Sequence, residues 1–252
     1  MSWKPLLCAV ALSALLLAAP SAFAAEVTVA VASNFVPVIQ RLKPLFEAEG
    51  EDSLTVSSGS TGKLFAQISH GAPFDVFLAA DVRRPRVLED KGLAVAGSRF
   101  TYAQGQLVLW SRRSSLPPKP QDALLARGVT HIAMANPRTA PYGQAAREVL
   151  KGLGLWRRVQ DRLVMGENIA QTYQYVASGN AQVGLVAYSQ LRAGSRGGSH
   201  WLIPQDLYQP IEQQAVRLNE SPGARRFVAF LRSASARKVI RDLGYRVPEQ
   251  GS

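Results

Sequence analysis

The chain has 252 residues, a formal net charge of +11 and a single cysteine, Cys8. One cysteine excludes an internal disulfide and any thiolate-rich metal site. The positive residues are scattered (Arg83, Arg84, Arg86, Arg112, Arg113, Arg157, Arg158, Arg225, Arg226) and no helix-turn-helix, zinc finger or aromatic signature accompanies them. The charge therefore reads as a solvated basic surface, and no nucleic-acid partner is expected.

The chain opens with a basic start at Lys4, an apolar run from Leu6 to Ala19, and Ala22-Phe23-Ala24, which has the A-x-A form of a secretory cleavage site. Residues 1–24 are expected to be a signal peptide, removed on export to the periplasm, and Cys8 leaves with it. The run is short for a membrane span and Pro20 breaks it. From Glu26 onward, apolar β-rich runs alternate with segments of helical period. EVTVAVAS is read as a strand, and NFVPVIQRLKPLFEAEG as a helix with Phe35, Val38, Ile39, Leu42, Leu45 and Phe46 on its apolar face. SLTVSSGS and DVFLAAD are read as strands, GKLFAQISHG and RPRVLEDKG as helices. In the second half QLVLWS, HIAMANP, RLVMG and VGLVAYS are read as strands. PYGQAAREVLKGLG and NIAQTYQYVASG are read as helices, the first opening on proline, a favoured first helical residue. RAGSRGGSH reads as a loop, and the tail from Ser221 is helix-rich. Such alternation predicts an α/β fold with mainly parallel sheets.

Ligands of open α/β sheets bind at the carboxyl ends of the strands. Four strand-to-helix turns there share one chemistry: Ala32-Ser33-Asn34-Phe35, Ser58-Gly59-Ser60-Thr61-Gly62, Thr139-Ala140-Pro141-Tyr142-Gly143 and Gly166-Glu167-Asn168-Ile169. Each presents unpaired N–H groups at a helix start, where negative charge is favoured, and three add hydroxyls. Any one of Ser33, Thr61 and Asn168 could simply cap its own helix. Two such turns in each half shift the balance toward an anion site shared between the halves. A nucleotide phosphate loop does not fit, because Gly59, Gly62, Lys63 and Leu64 lack the spacing and the magnesium-binding hydroxyl of G-x-x-x-x-G-K-[ST]. The G-x-S-x-G nucleophile elbow is also missing. His70, His131 and His200 have no metal-ligand spacing. Asp75 and Asp81 sit at opposite ends of one strand, which argues against paired acid–base work; Asp81 is expected to cap the next helix.

Ser57 to Asp81, SSGSTGKLFAQISHGAPFDVFLAAD, resembles the periplasmic molybdate-binding proteins of ABC importers. So do VAVASNF, NPRTAPYGQAAREVLKGLGLW and GENIAQTYQYVASGNAQVGLVAYSQ, in the same order, so that the resemblance spans nearly all of the chain after the leader. It implies a two-lobed type II periplasmic binding protein, each lobe a mainly parallel sheet flanked by helices. Lobe one would be residues 25–104 and 205–252, lobe two residues 105–204, with a hinge that closes on ligand. It implies molybdate or tungstate as ligand, held without direct protein bonds to the metal, no cofactor, a monomer, and partners in a membrane permease with its ATPase. The contacts it implies are Ser33, Asn34, Ser60 or Thr61, Tyr142, and Ile169 through its backbone N–H. Many members place a tyrosine on the last strand of lobe two; Ala187 stands there in this chain and Tyr188 follows it. A one-residue shift turns a strand side chain to the other face, so Tyr142 is the phenol expected in place of Tyr188. Two other functions fit the residues less well. A binder of sulfate or an organic carboxylate is one, although a carboxylate binder would more often show an arginine clamp and Arg138 is the nearest candidate. A hydrolase using Ser60 is the other, and it lacks an identifiable base.

Overall fold

The computed structural model describes residues 26–194 and 197–248. The signal-peptide expectation lies outside these residues. In chain order, β1 is Glu26–Ala32, followed by a 3-10 turn at Ser33–Phe35, α1 (Val36–Glu47), β2 (Ser53–Gly59), α2 (Thr61–Ser69), β3 (Val76–Ala79), α3 (Arg83–Asp90) and β4 (Phe100–Gly105). Then come β5 (Leu107–Ser111), α4 (Pro120–Leu125), β6 (Ile132–Ala135), α5 (Pro141–Gly152), α6 (Trp156–Val159), β7 (Leu163–Gly166), α7 (Ile169–Ala177), β8 (Val183–Ala187), α8 (Tyr188–Ala193) and β9 (Ser199–Leu202). The chain closes with β10 (Ile211–Arg217), α9 (Pro222–Arg232) and α10 (Ala234–Asp242).

Two five-stranded sheets result, ordered β2-β1-β3-β10-β4 and β7-β6-β8-β5-β9. In the first, β1 runs parallel to β2 and β3 while β10 is antiparallel to β3 and β4. In the second, β6 runs parallel to β7 and β8 while β5 is antiparallel to β8 and β9. The chain passes between the sheets twice, from β4 to β5 through Gln106 and from β9 to β10.

Each sheet is buried on both faces, which is why its strands read as apolar runs rather than clean alternations. In β1, Val27, Val29 and Val31 pack under α1, α9 and α10 with Phe46, Phe227 and Ile240. Ala30, on the other face, packs with Leu64, Ile68, Phe77 and Leu88 under α2 and α3. In β5, Leu107 and Leu109 face α5 through Ala146, Val149 and Leu150, while Val108 and Trp110 face α7 through Val176 and Ala177.

Local chemistry sets the helix starts. Ser60, Asn168, Ser221 and Ser233 each accept a backbone N–H three residues on. Asp81 accepts the Arg84 N–H at 2.9 Å and pairs with the Arg84 guanidinium, so it does cap its helix. Asp75 binds the Thr28 N–H and the Asn219 side chain, both at 2.7 Å, and the two carboxylates have separate structural roles. The His70 ring meets the end of its own helix, its Nδ1 lying 2.7 Å from the Ala66 oxygen.

The structure departs from the sequence expectation in several places. The sheets, expected to be mainly parallel, each have two parallel and two antiparallel pairings, because β10 and β5 return antiparallel after the chain crossings, and β4 and α4 had no expected counterpart. VGLVAYS stops being a strand at Ala187; Tyr188 and Ser189 open α8, because the Gln190 side chain caps the Ala187 N–H at 3.1 Å. Only the ends of RAGSRGGSH depart from a loop: Arg192 and Ala193 close α8, and Ser199 and His200 open β9. β10 was not expected at all. Its sequence, IEQQAVR, carries three polar residues in a row that mask the apolar signal, yet Gln213 and Gln214 are both buried.

Candidate functional site

The four turns converge. A small cavity, with ≈ 180 Å³ of atom-free space, lies between the sheets and is lined by Ala32, Ser33, Asn34, Gly59, Ser60, Thr61, Ala140, Pro141, Tyr142 and Ile169. Six of the seven residues singled out from the sequence are on that wall: Ser33, Asn34, Ser60, Thr61, Tyr142 and Ile169. All six are buried. Tyr188 is not on the wall. Its ring lies 5.6 Å from the His200 ring and packs against Gly244.

No charged side chain lines the cavity. Thr61, Tyr142 and Ile169 occupy the first or second positions of α2, α5 and α7, and the first N–H groups of a helix have no intrahelical acceptor. The hydroxyls are arranged to keep their protons. Thr61 Oγ1 accepts the Ala80 N–H at 3.2 Å, Ser60 Oγ accepts the Lys63 N–H at 3.4 Å, and the Tyr142 oxygen accepts Gln213 Nε2 at 3.3 Å. An oxygen that already accepts from the protein turns its own O–H elsewhere. Asn34 behaves differently. Its amide nitrogen donates to Gln213 Oε1 at 2.8 Å and to the Tyr245 oxygen at 3.0 Å, so what it offers the cavity is its backbone N–H. The arrangement can bind an anion through neutral donors. The wall carries no nucleophile paired with a base, and no metal-ligand cluster is found among the described residues.

Behind this wall lies a layer that the sequence reading missed. Tyr102 and Gln213 come from the first sheet, Ser189 from α8, and Tyr245 from the segment after α10. Tyr245 OH lies 2.8 Å from the Asn34 carbonyl and 3.0 Å from Ser189 Oγ, and Ser189 donates to the same carbonyl at 3.0 Å. Tyr245 stands 211 residues from Asn34, and no local pattern links them.

The same contacts tie the halves together. Gly62 N–H donates to the Thr139 carbonyl at 2.9 Å, and Lys63 forms an ion pair with Glu167 at the rim. Lys63 is half-exposed and takes no place on the cavity wall. A wider groove outside, ≈ 710 Å³ including space open to solvent, carries the carboxylates of Asp81, Glu148 and Glu212 beside Arg83 and Arg84. Those carboxylates make it a poor seat for an anion.

Burial raises the phenols. Tyr102 and Tyr142 are pushed well above the usual tyrosine value, chiefly by loss of water. Tyr245 is pushed up to about 12, again by burial, with hydrogen bonds to Ser189, Asn34, Tyr142 and Gln213 offsetting part of the rise. All three are neutral donors at physiological pH. Above pH ~10 the unfolded chain loses phenolic protons that the folded chain keeps, so stability falls between pH ~10 and ~12 and is complete below that window. For Tyr245 alone the loss is on the order of 3 kcal/mol at about 1.4 kcal/mol per unit. Thermal melts from pH 8 to 12 are expected to be flat to about 10 and to drop steeply beyond it, with a shallower drop in Tyr245→Phe.

Two α/β lobes joined by two chain crossings, with a donor-lined cavity between them, define a type II periplasmic binding protein. The chain belongs to the bacterial extracellular solute-binding proteins, whose family model matches residues 27–246. It is 45% identical over 234 residues to the molybdate-binding protein of Rhodobacter capsulatus, covering 91% of each chain. It is 46% identical over 241 residues to that of Azotobacter vinelandii, covering 94% of this chain and 95% of the relative. A solved structure of an Azotobacter vinelandii periplasmic molybdate-binding protein superposes with a TM-score of 0.84 at 38% identity, over 89% of this chain and all of that one. No helix among the described residues is long and apolar enough to cross a membrane.

Proposed function

We propose that this protein captures molybdate or tungstate in the cavity between its lobes and delivers it to an ABC importer. The observation that carries the reading is the convergence of four donor turns on one cavity without a charged side chain. The relatives named for molybdate binding support it. In this reading the anion accepts hydrogen bonds from Ser33, Ser60, Thr61 and Tyr142 and from the backbone N–H groups of Asn34 and Ile169. It acts as a monomeric periplasmic carrier, not an enzyme, and residues 105–204 close on residues 25–104 and 205–252 as a hinged pair.

The chemistry accounts for selectivity. Burying a dianion is costly unless every oxygen is hydrogen-bonded. Each neutral donor to a charged acceptor contributes roughly 1.5–3 kcal/mol net, so several suffice without an arginine. A fully deprotonated oxyanion needs donors only. Hydrogen phosphate brings a proton of its own, and the wall offers no carboxylate to accept it.

Calorimetric titration of the ligand-free mature protein tests the reading. Molybdate and tungstate are expected to bind tightly, sulfate weakly and phosphate weakest. Phosphate affinity equal to that of molybdate would contradict the donor-only account. Absence of binding by all four would leave only the fold.

A further inference from the structure

We infer that Gln213 is a positioning residue for oxyanion capture, setting the direction of the Tyr142 hydroxyl proton from the opposite lobe. The inference rests on the oxyanion reading above and extends it to a residue outside the cavity wall.

The backbone prepares this contact. Where β10 pairs with β4, Gln213 faces Ala103 and Gln214 faces Thr101, so Tyr102 is the extra residue of a β-bulge. A bulge re-aims side chains that regular alternation would send to opposite faces. Here it lets Gln213 become fully buried and sets the Tyr102 hydroxyl 3.0 Å from Gln213 Oε1.

The amide cannot serve in either orientation. Its oxygen accepts from Asn34 Nδ2 at 2.8 Å, and it also faces the Tyr102 hydroxyl, whose proton it shares with the Ala79 carbonyl. Turning the amide over would set its NH2 against the Asn34 NH2 and leave buried donors without acceptors, which is costly. Gln213 Nε2 is therefore held as a donor, and the group it meets is the Tyr142 oxygen at 3.3 Å. A phenol that accepts from Gln213 cannot also donate to it, so its proton is left for another acceptor. Gln213 belongs to the first sheet, whereas Tyr142 is on α5 beside the second. The contact thus joins one lobe to the other. Gly105, at the crossing between sheets, leaves room for it: a Cβ there would overlap the Tyr142 hydroxyl and fall 2.7 Å from Gln213 Nε2.

A double-mutant cycle tests the coupling. Molybdate affinity is measured by calorimetry for wild type, Gln213→Met, Tyr142→Phe and the double variant, with ligand-free melting to follow folding. Methionine keeps the length and apolar volume of the side chain, and Asn34 keeps Tyr245 and Ser189 as partners. The expected result is that Gln213→Met weakens binding about 10–30-fold when Tyr142 is present but no more than about 3-fold in the Tyr142→Phe background, the non-additivity of residues acting as a unit. Equal losses in both backgrounds, or no loss at all, would overturn the inference while leaving the molybdate site intact. If the methionine variant does not fold, the same cycle is run with Gln213→Glu. Glutamate keeps an acceptor for Asn34 and Tyr102 and turns the Tyr142-facing donor into an acceptor. Its charge acts on the ligand in both backgrounds, so an excess loss beside Tyr142 supports the coupling and equal losses refute it. Wild-type protein that binds no oxyanion would sink the underlying reading instead.

Discussion

Gly62→Val is expected to weaken molybdate binding by on the order of 100-fold, about 2.7 kcal/mol, while leaving the ligand-free melting temperature nearly unchanged. Gly62 is the second residue of α2, and its neighbour across the cleft is the main chain of Thr139 in the other lobe. A Cβ at Gly62 would fall 2.9 Å from the Thr139 oxygen, 3.0 Å from its Cα and 3.1 Å from Arg84 Nη2. Arginine can swing away, but backbone cannot. In the proposed hinge motion the obstruction acts on closure, so the ligand-free protein is expected to fold and melt normally. Gly62→Ala is expected to show the same effect at about one-tenth of the size, because alanine lacks the γ-methyls that carry the clash further. Calorimetry gives the affinities, and small-angle scattering shows whether molybdate still compacts the variant. Unchanged affinity in Gly62→Val would mean that the ligand-bound state does not bring Gly62 against Thr139.

Thr61→Val carries the second large effect, and it acts on both affinity and stability. The substitution keeps the β-branched shape and puts a methyl group in place of the hydroxyl. The anion then loses a donor worth roughly 1.5–3 kcal/mol, so affinity is expected to fall about 10–100-fold. The hydroxyl also accepts the buried Ala80 N–H at 3.2 Å, an interaction valine cannot make. Leaving that donor unsatisfied costs about 1–3 kcal/mol, which lowers the melting temperature by roughly 2–4 °C per kcal/mol in a chain of this size. The pairing of losses is diagnostic. Weaker binding at unchanged stability would show that Ala80 finds another acceptor; lower stability at unchanged affinity would remove Thr61 from the anion contacts. Tyr142→Phe provides the contrast within the second lobe, since it loses a donor to the anion but orphans Gln213 Nε2 rather than a backbone group.

The polarity of the site follows from where each hydroxyl finds its donor. Thr61 and Tyr142 differ in residue type, lobe and helix, yet each oxygen accepts from a buried group that faces away from the cavity. That shared arrangement makes the wall a donor surface at any pH where the phenols are neutral. Burial keeps them neutral well past physiological pH. Anion binding itself is therefore expected to vary little with pH as long as the anion stays fully deprotonated.

Much of this protein is written locally. Apolar runs such as VFLA and LVLWS, helical spacing such as that of Val38, Ile39 and Leu42, and caps such as Ser60 and Asn168 are decided by neighbours a few residues apart. For that reason the alternation of elements, the α/β class and the four donor turns could be read directly from the sequence, whereas the choice of Ser33, Asn34, Ser60, Thr61, Tyr142 and Ile169 within those turns came from the family resemblance. Other features depend on partners far away in the chain. Gln213 and Tyr245 reach Asn34 across 179 and 211 residues, and nothing in IEQQAVR or GYRV marks them as neighbours of a site. The bulge at Tyr102 exists only in the pairing of β4 with β10. Tyr188 was ambiguous by one residue in sequence, and the cap from Gln190 decided it by ending the strand at Ala187. The parts and the chemistry they carry are thus legible in the chain itself, because both rest on short-range periodicity and capping. That the donors meet, and that a buried polar layer behind them directs their protons, is settled by the packed molecule, because hydrogen bonds between distant segments form only once both sheets have come together.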